Sequence, residues 1–209
     1  MKTIILLFAC MLGSSTAFAQ TSEEWDGGYG IRSERRSGFA VGADVSAALG
    51  NADGYPKDAV KLSDPRYEAD TGTAAGGAAT VWLGGSIRDW FTFGLGLQSL
   101  SLAGNGLKTS GGGFVLRPEL YPLWTLGGTF RDLGVYTNFG LSWMKTRNGS
   151  DVVADGGSLG LVGIGVFHES LRWRHFGIGP TFGFSHYFSE TMKVSTVQLG
   201  LRVALTSGP

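Results

Sequence analysis

A chain of 209 residues is long enough for one domain with a sizeable core, and equal numbers of basic and acidic residues, 17 of each, give no electrostatic reason to expect a nucleic-acid partner. One cysteine, Cys10, excludes an intrachain disulfide framework. Glycine supplies 35 residues without a collagen period, and 16% charged residues is too few for a chain kept disordered by its charge.

The N-terminus carries Lys2, an apolar run over residues 4–12, and a small-residue segment that ends in the A-x-A pattern Ala17-Phe18-Ala19. That is the layout of a cleavable secretory signal. The apolar run is less than half the roughly 20 residues that a spanning helix needs, so a retained anchor is not expected. Three regions follow: a signal over 1–19, a polar periplasmic lead-in over 20–36, and a β-rich body over 37–209 whose chain then contains no cysteine.

In that body, period-two segments alternate with connections rich in Gly, Asp, Asn and Ser, the pattern of strands and turns. Residues 39–49 put Phe39, Val41, Val45 and Leu49 on one face and Ala40, Gly42, Asp44 and Ser46 on the other. A second strand is expected over 78–87. In the third, Phe91, Phe93, Leu95 and Leu97 alternate with Thr92, Gly94, Gly96 and Gln98. A fourth runs over 113–123. The fifth sets Leu133, Val135, Phe139 and Leu141 against Gly134, Tyr136, Asn138 and Ser142. The sixth, 158–167, changes apolar phase between Leu161 and Val162, which predicts a bulge. A seventh covers 176–187, and the eighth sets Val197, Leu199, Leu201, Val203 and Leu205 against Gln198, Gly200, Arg202 and Ala204. Pro118, Pro122 and Pro180 each remove a ladder donor and predict local distortion.

The composition of the less apolar face separates a membrane barrel from a soluble sheet. A soluble sheet shows water a charged surface, whereas this face is mostly Gly, Ala, Ser and Thr with isolated Asp44, Gln98, Arg117, Glu119, Asn138 and Arg202. Small residues suit the inside of an eight-strand barrel, and the large apolar ones then face lipid. The lysines beyond the signal, Lys57, Lys61, Lys108, Lys145 and Lys193, fall in alternate connections, expected outside the cell. The other connections instead carry Trp90, Trp124 and Trp173, an interfacial girdle. The fold class expected is all-β, an eight-stranded antiparallel up-and-down transmembrane β-barrel in the bacterial outer membrane.

In this pattern the chain resembles the small outer-membrane β-barrel family. The last strand carries the most specific part, since Gln198-x-Gly200-x-x-Val203-x-Leu205 is similar to the family's C-terminal assembly signal. The resemblance implies the barrel-assembly machinery as a partner. Family members commonly end that strand on an aromatic residue, where this chain has Leu205 followed by Thr206.

Arg117 and Glu119 share a face, and Asp44 and Arg202 join them as a structural charge cluster in the lumen, because buried charges must be paired. Some small barrels are lipid A deacylases with a Ser and a His two apart on one strand. Here Ser185 and Ser189 both differ from His186 by odd spacings and face away from it, so no catalytic residue is assigned. No cofactor and no metal are expected, and His168 and His175 are read as interfacial. The leading functional reading is a non-enzymatic barrel with a surface or envelope role through its outer loops, in contact with outer-membrane lipid and lipopolysaccharide. Alternatives are a narrow pore, a lipid A-modifying enzyme and a soluble periplasmic lipid carrier.

If the eighth strand is read by the assembly machinery as an added edge strand, a charge among its lipid-facing residues blocks insertion. Leu205→Asp is expected to lower the outer-membrane amount sharply while export across the inner membrane is unchanged, and the same change at Thr206 or Ser207 to matter far less. Immunoblots of fractionated cells lacking periplasmic proteases check this; equal amounts for Leu205→Asp and Ser207→Asp would exclude the signal.

Overall fold

The computed structural model describes residues 36–207 apart from 59, 63 and 127, so the expected signal and all of the lead-in but Arg36 lie outside the described residues. Alternation of large apolar with small or polar residues makes a strand whose faces meet different surroundings. The strands are β1 (Gly38–Gly54), β2 (Ala69–Asp70), β3 (Ala74–Arg88), β4 (Phe91–Gly104), β5 (Leu107–Leu120), β6 (Leu133–Asn148), β7 (Asp151–Asp155), β8 (Leu159–His168), β9 (Leu171–Trp173), β10 (Phe176–Phe188) and β11 (Met192–Thr206). All pairings are antiparallel, and β11 pairs with both β10 and β1, which closes the sheet. Eight long strands, β1, β3, β4, β5, β6, β8, β10 and β11, form the wall. The short β2, β7 and β9 lie against β1, β6 and β10.

The facing follows the sequence pattern. Asp44, Thr80, Gln98, Arg117, Asn138 and Arg202 point inward and are buried, while Val45, Val81, Leu97, Phe114, Phe139 and Leu201 are exposed. Within one strand Leu97 is 56% exposed and Gln98 3%. A continuous apolar belt of this extent is foreign to a water-facing surface and is what a lipid-facing barrel wall presents.

The expected bulge is absent. β8 runs in unbroken register against β6 from Leu159 to His168 and against β10 from Gly160 to Phe167. Leu159 and Leu161 point inward, and Val162 and Ile164 outward. What changes along the barrel is the filling: Leu100, Leu102, Met144, Leu159, Leu161, Met192 and Val194 pack into one apolar cluster at one end of the lumen. The prolines act more locally. Pro118 leaves a gap in the β5 to β6 ladder between Leu116 and Glu119 without shifting its register. Pro180 stands where pairing passes from β8 to β9, and Pro122 lies in a turn.

The two ends differ. The connections at one, the turn end, are residues 89–90, 121–132 and 169–175, and they hold Trp90, Trp124 and Trp173. At the other, the loop end, residues 55–73 make the one long connection among the described residues. The rest are short because the strands run further than the sequence suggested, and β4 passes to β5 through Asn105 and Gly106, both at positive φ as a tight hairpin needs. Lys108, Lys145 and Lys193 therefore stand on β5, β6 and β11 and not in loops, while Lys57 and Lys61 keep their place in the long one.

The seam is close-fitting. A Cβ on Gly200 would lie 2.1 Å from the Val45 oxygen and 2.5 Å from the Ser46 Cα of β1, so only glycine lets the two strands approach. The seam also runs past the expected end of the signal: Thr206 pairs with Ala40, and Ser207 both donates to the Phe39 carbonyl and accepts from its N–H at 2.8 Å. Ser207 is thus a seam residue and no neutral control.

Leu97 gives a direct test of facing. Leu97→Arg is expected to cost about 2–4 kcal/mol if it lies near the bilayer midplane, and Leu97→Phe far less, since lipid accepts a larger apolar side chain that a filled lumen would not. Denaturant unfolding in lipid vesicles measures both, and comparable losses would turn the wall inside out.

Candidate functional site

Inward positions on facing walls meet across a narrow lumen, so charge on one wall must be answered from the other. Arg117 on β5 places Nη1 2.6 Å from Asp44 Oδ2 on β1, and its Nε donates to Glu119 Oε1 at 2.7 Å. Arg202 on β11 grips the same Glu119 with both terminal nitrogens, each at 2.7 Å. All four side chains are 10% exposed or less. The network ties β1, β5 and β11 together. Aromatic faces cover the cations: the Arg117 guanidinium lies 4.0 Å from the Tyr136 ring centre, and that of Arg202 3.9 Å from Phe167 and 5.0 Å from Trp82.

A second tier lies at the turn end. Asp89, Asp132 and Glu169 come one from each of the three turns and surround Arg36. Arg131 pairs with Asp89 at 2.8 Å, and Arg172 with Glu169 at 2.7 Å. Tyr121 donates to Glu169 at 3.0 Å. Burial alone would raise the Glu169 carboxyl, yet Arg36, Arg202 and Arg172 outweigh it and hold the group below its ordinary range. Glu169 therefore stays charged while exposed carboxylates protonate, and its contribution is lost only as pH falls through that lowered value.

Above the charges the filling turns neutral. Gln98 donates to Tyr187 at 2.8 Å, and Gln198 donates to Thr196 at 3.1 Å and Ser185 at 3.3 Å. The apolar cluster follows at the loop end. The lumen is filled by charge, then amides and hydroxyls, then hydrocarbon.

The structure brings Asp44, Arg117, Glu119 and Arg202 into one network, with Tyr136 beneath it, and sets Gln198 in the separate amide layer. Gln198 and Gly200 face inward on β11, Val203 and Leu205 outward. Sequence reasoning missed Arg36, Asp89, Tyr121, Asp132, Glu169 and Arg172. The available signal was one acidic residue in each tryptophan-bearing turn, Asp89 with Trp90, Asp132 with Trp124 and Glu169 with Trp173. The partner of His186 is Ser195, whose Oγ lies 2.9 Å from Nδ1 across the β10 to β11 ladder on the outer wall. Among the described residues no carboxylate bonds that ring, and the backbone around it is committed to the ladder, which leaves no N–H pair to stabilise an oxyanion. His168 bridges two turns, through Ser170 Oγ and the Thr129 carbonyl, each at 2.9 Å.

Glu119 answers two arginines at once, so Glu119→Gln is expected to destabilise by about 3–5 kcal/mol, because it strands buried charge. Replacing the pair together, as Glu119→Leu with Arg202→Met, is expected to cost much less than the sum of the single changes. A double-mutant cycle in vesicles reads this, and additive losses would exclude coupling through the ion pair.

No protein-family model and no curated protein matches the chain. Solved structures do. The crystal structure of Neisserial surface protein A, NspA, is 16% identical over 82% of this chain and 98% of that one, with a TM-score of 0.50. Ail, the attachment invasion locus protein of Yersinia pestis, is 9% identical over 79% of this chain and 98% of its own, with a TM-score of 0.49. OprG from Pseudomonas aeruginosa is 11% identical over 82% and 98%, with a TM-score of 0.44. At these identities the likeness is one of fold, and with the closed ring of eight long strands it makes this chain similar in architecture to the small eight-stranded outer-membrane β-barrels.

Proposed function

We propose that the protein is a non-enzymatic barrel of the bacterial outer membrane that acts through its loop-end surface, where its cations meet the phosphates of lipopolysaccharide. One observation carries the reading: the lumen is filled from the ion-paired mouth to the apolar cluster, so transport through it or storage of a lipid within it has no room. Outer-membrane barrels keep their compact turns and both termini in the periplasm, which assigns the loop end to the outside.

The outer wall has the chemistry of a lipid headgroup contact. Lys108 stands directly across from Arg147, and Ser110 across from Lys145, on the adjoining β5 and β6. Below them Trp143 and Phe114 are more than half exposed, with ring centres 5.9 Å apart. Cations over an aromatic floor match the border between phosphate and acyl chain. With about 3.3 Å per residue and a tilt near 40°, the 17 residues of β1 rise roughly 43 Å against an apolar band of about 25 Å, so strand ends stand in the headgroup layer. Lys145 is held by Asp155 at 3.2 Å in a partly exposed pair that costs little to exchange for a phosphate.

Two measurements test this. The reconstituted barrel is expected to show no single-channel steps in planar bilayers, and defined current steps would replace the surface reading with a pore. Lys108→Glu with Arg147→Glu is expected to lower retention of lipopolysaccharide by roughly tenfold or more, at about 1 kcal/mol per cation near a charged surface. Unchanged retention by a folded double variant would remove lipopolysaccharide as the partner of this patch.

A further inference from the structure

Arg36 is placed as no wall residue is. It precedes β1 by two residues, and the left-handed φ of 76° at Gly38 turns the chain away from the line of the strand. Its side chain is buried, 1% exposed, and reaches two of the turns, while its backbone N–H reaches the third. The backbone N–H donates to Asp89 Oδ1 at 2.8 Å; Nη2 donates to Asp132 Oδ1 at 2.6 Å and Glu169 Oε2 at 3.2 Å; and the guanidinium lies 3.7 Å from the Tyr121 ring centre.

The order of strands gives these contacts a meaning. Asp132 is the residue before β6, and β6 is four strands from β1 whichever way round the ring is followed. In an open sheet β1 and β11 are the free edges, and four strand widths of about 4.8 Å would separate the start of β1 from the foot of β6. Only curling brings Arg36 to Asp132 and Glu169, and full curling is what lets β1 meet β11. The lower end of that seam lies beside Arg36, where Ala40 pairs with Thr206 and Phe39 with Ser207.

We propose that Arg36 is a latch: its ion pairs with the turns form as β1 meets β11, and they hold the seam shut from the periplasmic end while stoppering the charged lumen. The carboxylates have other partners, Arg131 for Asp89 and Arg172 for Asp132 and Glu169, so removing Arg36 leaves the turns tied to one another and frees the start of β1.

Hydrogen exchange on the full mature chain in lipid vesicles tests this. Arg36→Ala is expected to speed exchange of the lower seam amides, residues 38–44 and 202–207, by about tenfold or more through local opening, with the β4 to β5 ladder unchanged. Arg36→Lys, which keeps the charge and loses the fork and the stacking on Tyr121, is expected to fall between. If Arg36→Ala does not assemble, Asp132→Asn keeps the shape, removes the partner across the ring, and is read in the same way. Selective exchange at the seam supports the latch; a uniform rise over all ladders, or no change in either variant, overturns it.

Discussion

Eight strands close around a space that side chains from the walls only just fill. Every polar group sent into it leaves water, and its partner has to be another inward group, on its own strand or across the lumen. Asp44, Arg117, Glu119 and Arg202 meet that condition across β1, β5 and β11, and the bidentate grip of Arg202 on Glu119 fixes the spacing of walls that share no ladder. The backbone ladder gives the sheet its continuity. The lumen sets its curvature and cross-section.

Glycine follows from the same shortage of space. Gly42 lies under the Trp82 ring, Gly134 against Phe167, and Gly165 and Gly183 beside Tyr136, so these rings are admitted by the absence of a side chain facing them. Among the described residues, many glycines are the counter-shapes of a few large residues or stand where a neighbouring strand's backbone comes too close for a Cβ.

The wall was legible in the sequence because a period of two fixes which residues share a face, and a face of Gly, Ser and Thr opposite one of Leu and Phe says which looks inward. Arg117 and Glu119, two apart, were legible as neighbours for the same reason. Parity says nothing of height, however. Where the lumen turns apolar, Leu159 and Leu161 imitate outward residues, and a continuous strand looked like a bulged one. The carboxylate cage was hidden more deeply: Arg36 meets Asp89, Asp132 and Glu169 over 53, 96 and 133 positions of chain, and no local pattern marks a contact made by three turns at once. The lysines were read as loop residues because Gly, Ser and Asn on strand ends resemble turns until their ladder partners are known.

The strand ends beyond the membrane have a mechanical consequence. With Asn105 and Gly106 alone joining β4 to β5, and Asn148 followed directly by a tight turn into β7, much of the loop-end rim is hydrogen-bonded sheet in place of pliant chain. A protease acting on that rim would find susceptible backbone chiefly in residues 55–73, and an antibody raised to short peptides would find few matches on the folded rim. Any molecule that recognises the loop end has to read a stiff palisade, by the shape and spacing of side chains that the ladder holds at fixed intervals.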